Sequence, residues 1–247
     1  MCTAFIKKLI LPALCLFFSV PFLHGQSFIE RHNIEQSLEF CISPYYWRGL
    51  DKGTFGESLV YTMQNSNFKL VQDSQLTDIT FDYTESFTYY PFKKESKHAL
   101  HQFGIEELYH FENYYDISTE HDAILSLCYK VSFFNDYYIS FVTGWGIKAT
   151  YIDGISEYTG AITDWNINTN VCAGKKWDNG FECCFYWGSH DLYRYSLFIS
   201  PVYGLKAGYT FNNITFSLET ELRVCDQFTT ISTVDMCCTR FCVRYNF

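Results

Sequence analysis

The sequence predicts an all-β protein, a closed antiparallel transmembrane β-barrel of about ten strands in an up-and-down meander, with eight or twelve strands also compatible. Three observations lead there. Segments of ten or so residues alternate apolar and polar side chains, the period of two that sends successive side chains to opposite faces of a strand. Tight connections carrying Asn, Asp or Gly alternate with longer polar ones, the sorting expected of a membrane barrel with turns at one end and loops at the other. No segment beyond the N-terminus has a helical period or the apolar length of a spanning helix.

Residues 1–26 read as a signal peptide. Lys7 and Lys8 precede an apolar run from Leu9 to Leu23, and small or polar residues follow near Gly25. The run holds Pro12 and Pro21 and is shorter than the ~20 residues of a membrane-spanning helix. Residues 27–247 are then expected to form one β-barrel domain. Loss of Lys7 and Lys8 takes the formal charge from −9 to −11. With its charges dispersed, the chain matches neither a nucleic-acid binder nor a basic helix lying on a membrane. Nine cysteines follow the leader: Cys41, Cys128, Cys172, Cys183, Cys184, Cys225, Cys237, Cys238 and Cys242. Export permits disulfides, but no Cys/His spacing fits a zinc site, and neither metal nor cofactor is expected.

After a linker over 27–36, the alternating segments are 37–48, 79–90, 99–113, 123–133, 137–152, 161–177, 181–188, 197–211, 214–224 and 234–247. In 79–90, Ile79, Phe81, Tyr83, Phe87 and Tyr89 share one face, broken by Glu85, and Thr80, Asp82, Thr84, Ser86 and Thr88 share the other. In 214–224, Ile214, Phe216, Leu218, Leu222 and Val224 oppose Thr215, Ser217, Glu219, Glu221 and Arg223. Tight turns are expected at Asn135-Asp136, Asp178-Asn179-Gly180 and Asn212-Asn213, and long loops at 114–122, 153–160, 189–196 and 226–233.

These turns fix registers. A two-residue turn at Asn212-Asn213 sets Phe211 opposite Ile214 and Lys206 opposite Glu219. A three-residue turn at 178–180 sets Trp177 opposite Phe181 and Lys176 opposite Glu182. If the last loop closes with Cys225 opposite Val234, Glu219 faces Arg240 and extends the row from Lys206. Closing the first strand on the last, with Phe247 beside Gln36, pairs Glu39 with Arg244 and Cys41 with Cys242. A directly opposed pair sits slightly wide for a disulfide, so two neighbouring lumen thiols are the expectation at that seam.

The polar faces, rich in small residues and in charges of both signs, suit a crowded lumen. The apolar faces carry Trp47, Tyr89, Trp145, Tyr151, Trp177 and Trp187 as candidates for interfacial girdles. A soluble secreted barrel with disulfides would turn the faces the other way. The chain ends on Phe241, Val243, Tyr245 and Phe247 at alternate positions. With the leader and the sorted loops, that ending resembles the small outer-membrane β-barrel proteins of diderm bacteria, of the OmpX, OmpW and omptin kind. The resemblance implies export through the periplasm to the bacterial outer membrane, lipid around the barrel, and recognition of those four residues by the barrel-assembly machinery.

The function expected is that of an integral outer-membrane barrel with a narrow or plugged lumen, in a structural or surface-exposed role carried by its loops; passage of small solutes is a secondary option, open only to the narrow lumen. Lys130, Lys148, Lys176, Glu182, Lys206, Glu219, Arg240, Arg244 and Glu39 would fill that lumen as paired charges. His110, with Glu106 and Glu112 on the same face, reads as a hydrogen-bonded lumen histidine. An outer-leaflet hydrolase is the catalytic alternative, with Ser189-His190-Asp191 and Glu120-His121-Asp122 in presumed outer loops; neighbours in sequence point apart, so neither run forms a triad by itself. No enzyme activity and no nucleic-acid partner are expected, and the sequence names no surface ligand. Phe247→Ser should lower the folded amount in the outer membrane with little change in synthesis, read by membrane fractionation and immunoblot. Normal insertion would remove the terminal strand as an assembly signal.

Overall fold

The computed structural model describes residues 33–47, 52–78, 80–115, 118–152, 162–188, 201–225 and 233–247. The leader and Ser189-His190-Asp191 lie outside the described residues, which form twelve strands: β1 Glu35–Trp47, β2 Lys52–Gln64, β3 Phe68–Thr77, β4 Thr80–Glu95, β5 Ala99–Tyr114, β6 Ser118–Phe133, β7 Tyr137–Ile152, β8 Ile162–Lys176, β9 Phe181–Gly188, β10 Val202–Phe211, β11 Ile214–Cys225 and β12 Thr233–Asn246. Each strand is hydrogen-bonded to the next, and β1 closes on β12. The architecture is thus a closed meander of twelve strands where the alternation suggested about ten.

The two additional strands are β2 and β3, and their patterning explains why they were hard to see. Register and parity put Glu57 and Gln72 on the outer face beside Leu59 and Leu70, while Val60 and Val71 stand on the lumen face opposite Asp73 and Thr62. A second correction concerns 114–122. Only 115–117 separate β5 from β6, so Glu120-His121-Asp122 belongs to β6 rather than to a loop. The β3–β4 connection, 78–79, is shorter still, and loops are sorted less cleanly than the sequence suggested.

The turns at the other end are formed as their residues dictate. Asp136, Asn212 and Gly180 all adopt positive φ, the conformation that short hairpins require and that Asn, Asp and Gly tolerate. Phe211 pairs with Ile214 and Lys206 with Glu219, and Lys176 pairs with Glu182. Between β11 and β12 the register shifts at Arg223/Val224. Glu219 therefore faces Arg240, as the row requires, but Cys225 faces Thr233 and not Val234. The bulge absorbs one residue near the loop without disturbing the pairing below it.

The seam joins the chain ends. Glu39 faces Arg244, Cys41 faces Cys242, and the Phe247 amide donates to the Gln36 carbonyl at 2.9 Å. Cys41 and Cys242 are disulfide-bonded, with their Cα atoms 4.1 Å apart. The separation lies near the narrow spacing of non-hydrogen-bonded antiparallel pairs, about 4.5 Å, which is why a bond forms where only proximity was expected. Non-reducing peptide mapping of the mature chain should return the Cys41–Cys242 cross-link. Cys41→Ser should cost roughly 2–5 kcal/mol in urea unfolding under oxidising conditions and nothing under reducing ones.

Candidate functional site

The distribution of exposed groups is the inverse of a soluble protein's. Phe40, Val243, Phe216, Tyr209 and Phe181 form one continuous outer row across five strands, each at least 38% exposed. Leu125, Leu127, Trp145, Ile147, Phe185, Leu205, Leu218 and Phe241 continue the apolar exterior. The alternate positions, Glu39, Ser43, Ser58, Thr88, Asp122, Ser126 and Thr215, are buried. A surface this apolar around a polar interior suits hydrocarbon and not water, and excludes a soluble barrel that packs its apolar faces inward. Of the girdle candidates, Tyr151 and Trp187 lie on the outer face near strand ends, whereas Trp145 sits halfway along β7.

Inside, the charged side chains bridge the lumen. Lys206 Nζ on β10 lies 3.5 Å from Glu219 on neighbouring β11 and 3.5 Å from Glu39 on β1. Glu39 also holds Arg244 Nε at 3.8 Å. Arg240 on β12 reaches Asp73 of β3 at 3.8 Å, Gln75 of β3 at 3.3 Å and Glu221 of β11 at 3.9 Å. β12 and β3 have β1 and β2 between them, as β10 and β1 have β11 and β12. Both contacts are therefore chords across the lumen and not rungs along its wall.

Tyr186 completes the bridge. Its hydroxyl donates to Glu219 at 2.7 Å and also meets Glu221. Its ring lies over Gly204 of β10, where a Cβ would fall 1.9 Å from the ring. Only glycine leaves room for an aromatic to cross that strand.

The sequence thus placed Lys206, Glu219, Arg240, Glu39 and Arg244 in the lumen row, and the structure brings them together. Arg240 also turns toward Glu221, its diagonal neighbour on β11, and toward Asp73 and Gln75 of β3, which strand pairing alone could not link to it. Lys176 stands opposite Glu182, but the Glu182 carboxylate accepts from Tyr138 at 3.1 Å. Phe241, Val243, Tyr245 and Phe247 all face outward and are about half exposed. In the catalytic alternative, Glu120 and Asp122 point into the lumen while His121 points out, against Phe111 and Tyr151.

No family model and no curated protein matches the chain. Its likeness to solved structures is clear at the level of fold. The KdgM porin aligns at 10% identity over 85% of this chain and 99% of its own, with a TM-score of 0.52. The NanC porin aligns at 10% identity over 84% and 98%, with a TM-score of 0.52. The COG4313 outer membrane channel from Pseudomonas putida F1 aligns at 9% identity over 87% and 95%, with a TM-score of 0.50. The chain has the fold of a porin barrel.

Removing a bridging charge should cost more than removing a rim charge. Lys206→Met leaves Glu39 and Glu219 without the ammonium between them and should lower the unfolding free energy by on the order of 1–3 kcal/mol. Lys176→Met, at an exposed position, should change it by less than about 0.5 kcal/mol. Equal effects in urea titrations of the refolded barrel would mean that the bridge is not structural.

Proposed function

We propose that the protein is an integral outer-membrane barrel that passes small polar solutes through a constricted lumen. The observation that carries this reading is the Arg240 chord, with its contacts to Asp73, Gln75 and Glu221. Beside it, a cavity of about 630 Å³ is lined by Lys69, Asp73, Asp82, Glu112, Glu219 and Arg240 among others. The space suits a small hydrated solute, and the bridging side chains deny a free path to a larger one. The apolar exterior supports residence in a bilayer, and the porin fold supports the outer membrane as the bilayer concerned.

Selectivity follows from the pairing of charges. The KdgM porin is known in complex with disordered oligogalacturonate, a polyanion. In this chain Lys206, Arg240 and Arg244 each already meet a carboxylate, so these three bases are less available to a polyanion, while Lys69 also lines the cavity. Passage, not catalysis, is the role this interior supports, and the outward Phe241, Val243, Tyr245 and Phe247 remain the proposed signal for barrel assembly.

Planar-bilayer recording of the refolded protein tests the reading. The native barrel should show small, weakly ion-selective conductance, and Arg240→Ala should raise it severalfold. A large native conductance, or no change in the variant, would rule out the Arg240 chord as the constriction.

A further inference from the structure

A second group of side chains, unused by the bridge, gathers on the lumen wall of β4, β5 and β6, at the end of the barrel away from the chain termini. Asp82, His110 and Glu112 each offer one ligand atom, and these atoms lie within 4.8 Å of one another. The register brings them together: Asp82 faces Glu112, and His110 stands between Thr84 and Asp122. The Asp82 and Glu112 carboxylates stand directly opposite each other on adjacent strands, with ligand oxygens no more than 4.8 Å apart. Two carboxylates that close need a proton or a cation between them.

The surroundings point to a cation. His110 Nδ1 lies 3.3 Å from Oδ2 of Asp122, whose side chain is wholly buried. With Nδ1 donating there, the ring has the Nε2 lone pair to offer, the carboxylate–histidine arrangement that orients a metal-binding imidazole. Two carboxylate oxygens at this place, Asp82 Oδ1 and Asp122 Oδ1, are buried with no hydrogen-bond partner. Orphaned acceptors of this kind are costly unless something positive meets them.

We propose that Asp82, His110 and Glu112 form a binding site for a divalent transition-metal ion on the lumen wall, with Asp122 as the positioning residue behind His110. A nitrogen donor with two carboxylates suits Zn²⁺ or Co²⁺ better than Ca²⁺ or Mg²⁺, which take oxygen ligands. All three ligands line the lumen cavity, so the remaining coordination positions open to water or to a donor group on a solute. A second close trio, Glu39, Cys41 and Cys242, has no such capacity. Its sulfurs are joined in the disulfide, and its carboxylate holds Lys206 and Arg244. The metal proposal stands apart from the constriction, since a closed barrel that conducts nothing could still bind the ion.

The test is Co²⁺ titration of the refolded mature chain, followed by displacement with Zn²⁺. Uptake of one Co²⁺ per chain is expected, with ligand-field absorption and no thiolate charge-transfer band, because free cysteines are the competing ligands. His110→Gln and Asp82→Asn should each weaken binding at least about 10-fold, and Asp122→Asn about 10- to 100-fold. Lys176→Met, at an exposed position at the opposite end of the barrel, should leave binding unchanged. Heat-modifiable migration on detergent gels confirms that each variant is folded. Absence of Co²⁺ uptake by the native barrel, uptake unchanged in His110→Gln and Asp82→Asn, or a thiolate band would each overturn the proposal.

Discussion

A strand edge in hydrocarbon leaves a row of amide and carbonyl groups with nothing to bond, at several kcal/mol for each unmet group. Every other feature of this barrel follows from meeting that constraint. The last strand must return to the first, so β12 lies beside β1 and their side-chain parities must agree. The agreement is visible in the chemistry of the seam. Glu39 meets Arg244 and Cys41 meets Cys242 on the inner face, while Phe40 and Val243 continue the apolar row outside. A slip of one residue would drive Glu39 and Arg244 into lipid. The seam's two strands are the most distant in sequence, so closure carries the largest loop-closure cost, and the disulfide lies where that cost falls.

Once closed, twelve strands enclose more space than their wall-hugging side chains fill, and the long charged residues deal with the surplus by crossing it. Lys206 spans to β1 and Arg240 to β3, and Tyr186 passes over Gly204 to Glu219 and Glu221. Such pairs do not stabilise by charge alone, since desolvation offsets much of the attraction. Their distinct contribution is geometric, because the Lys206 and Arg240 chords tie together strands that the sheet separates by two others, and Tyr186 ties strands separated by one. A lumen tied in this way resists widening.

How much of this was legible in the chain depends on how far the information had to travel. Pairings governed by a turn or by the chain ends could be read directly: Lys206 with Glu219, Lys176 with Glu182, Glu39 with Arg244. Strands β2 and β3 were hidden because their outer face breaks the rule that reveals a strand. Gln72 on β3 donates to Glu85 on β4 at 2.8 Å, and Tyr83 donates to the same carboxylate at 2.6 Å. These polar groups satisfy one another on an otherwise apolar wall, and a period-two reading takes them for a loop. The run 114–122 misled for the related reason that Glu120 and Asp122 are lumen residues near a rim, as polar as a loop. The chords were beyond reach altogether. Neither Asp73 nor Gln75 carries any local sign that Arg240 lies opposite, because that contact depends on barrel curvature and not on register.

The same distinction separates the two clusters of charge inside the barrel. In the bridge, carboxylates and bases come from strands far apart, and each base finds an acid; Glu39 alone serves Lys206 and Arg244. On the β4–β6 wall the groups come from adjacent strands, where register sets Asp82 against Glu112 and His110 against Asp122. Lys148 on the next strand is engaged with Glu120. Adjacent carboxylates fixed by backbone pairing cannot move apart to relieve their repulsion, as a flexible rim could. A lumen that brings basic residues past two intervening strands to neutralise one set of acids, yet leaves oxygens of Asp82 and Asp122 unmet beside an oriented imidazole, is built as a bridge in one part and as a receptor for a cation in the other.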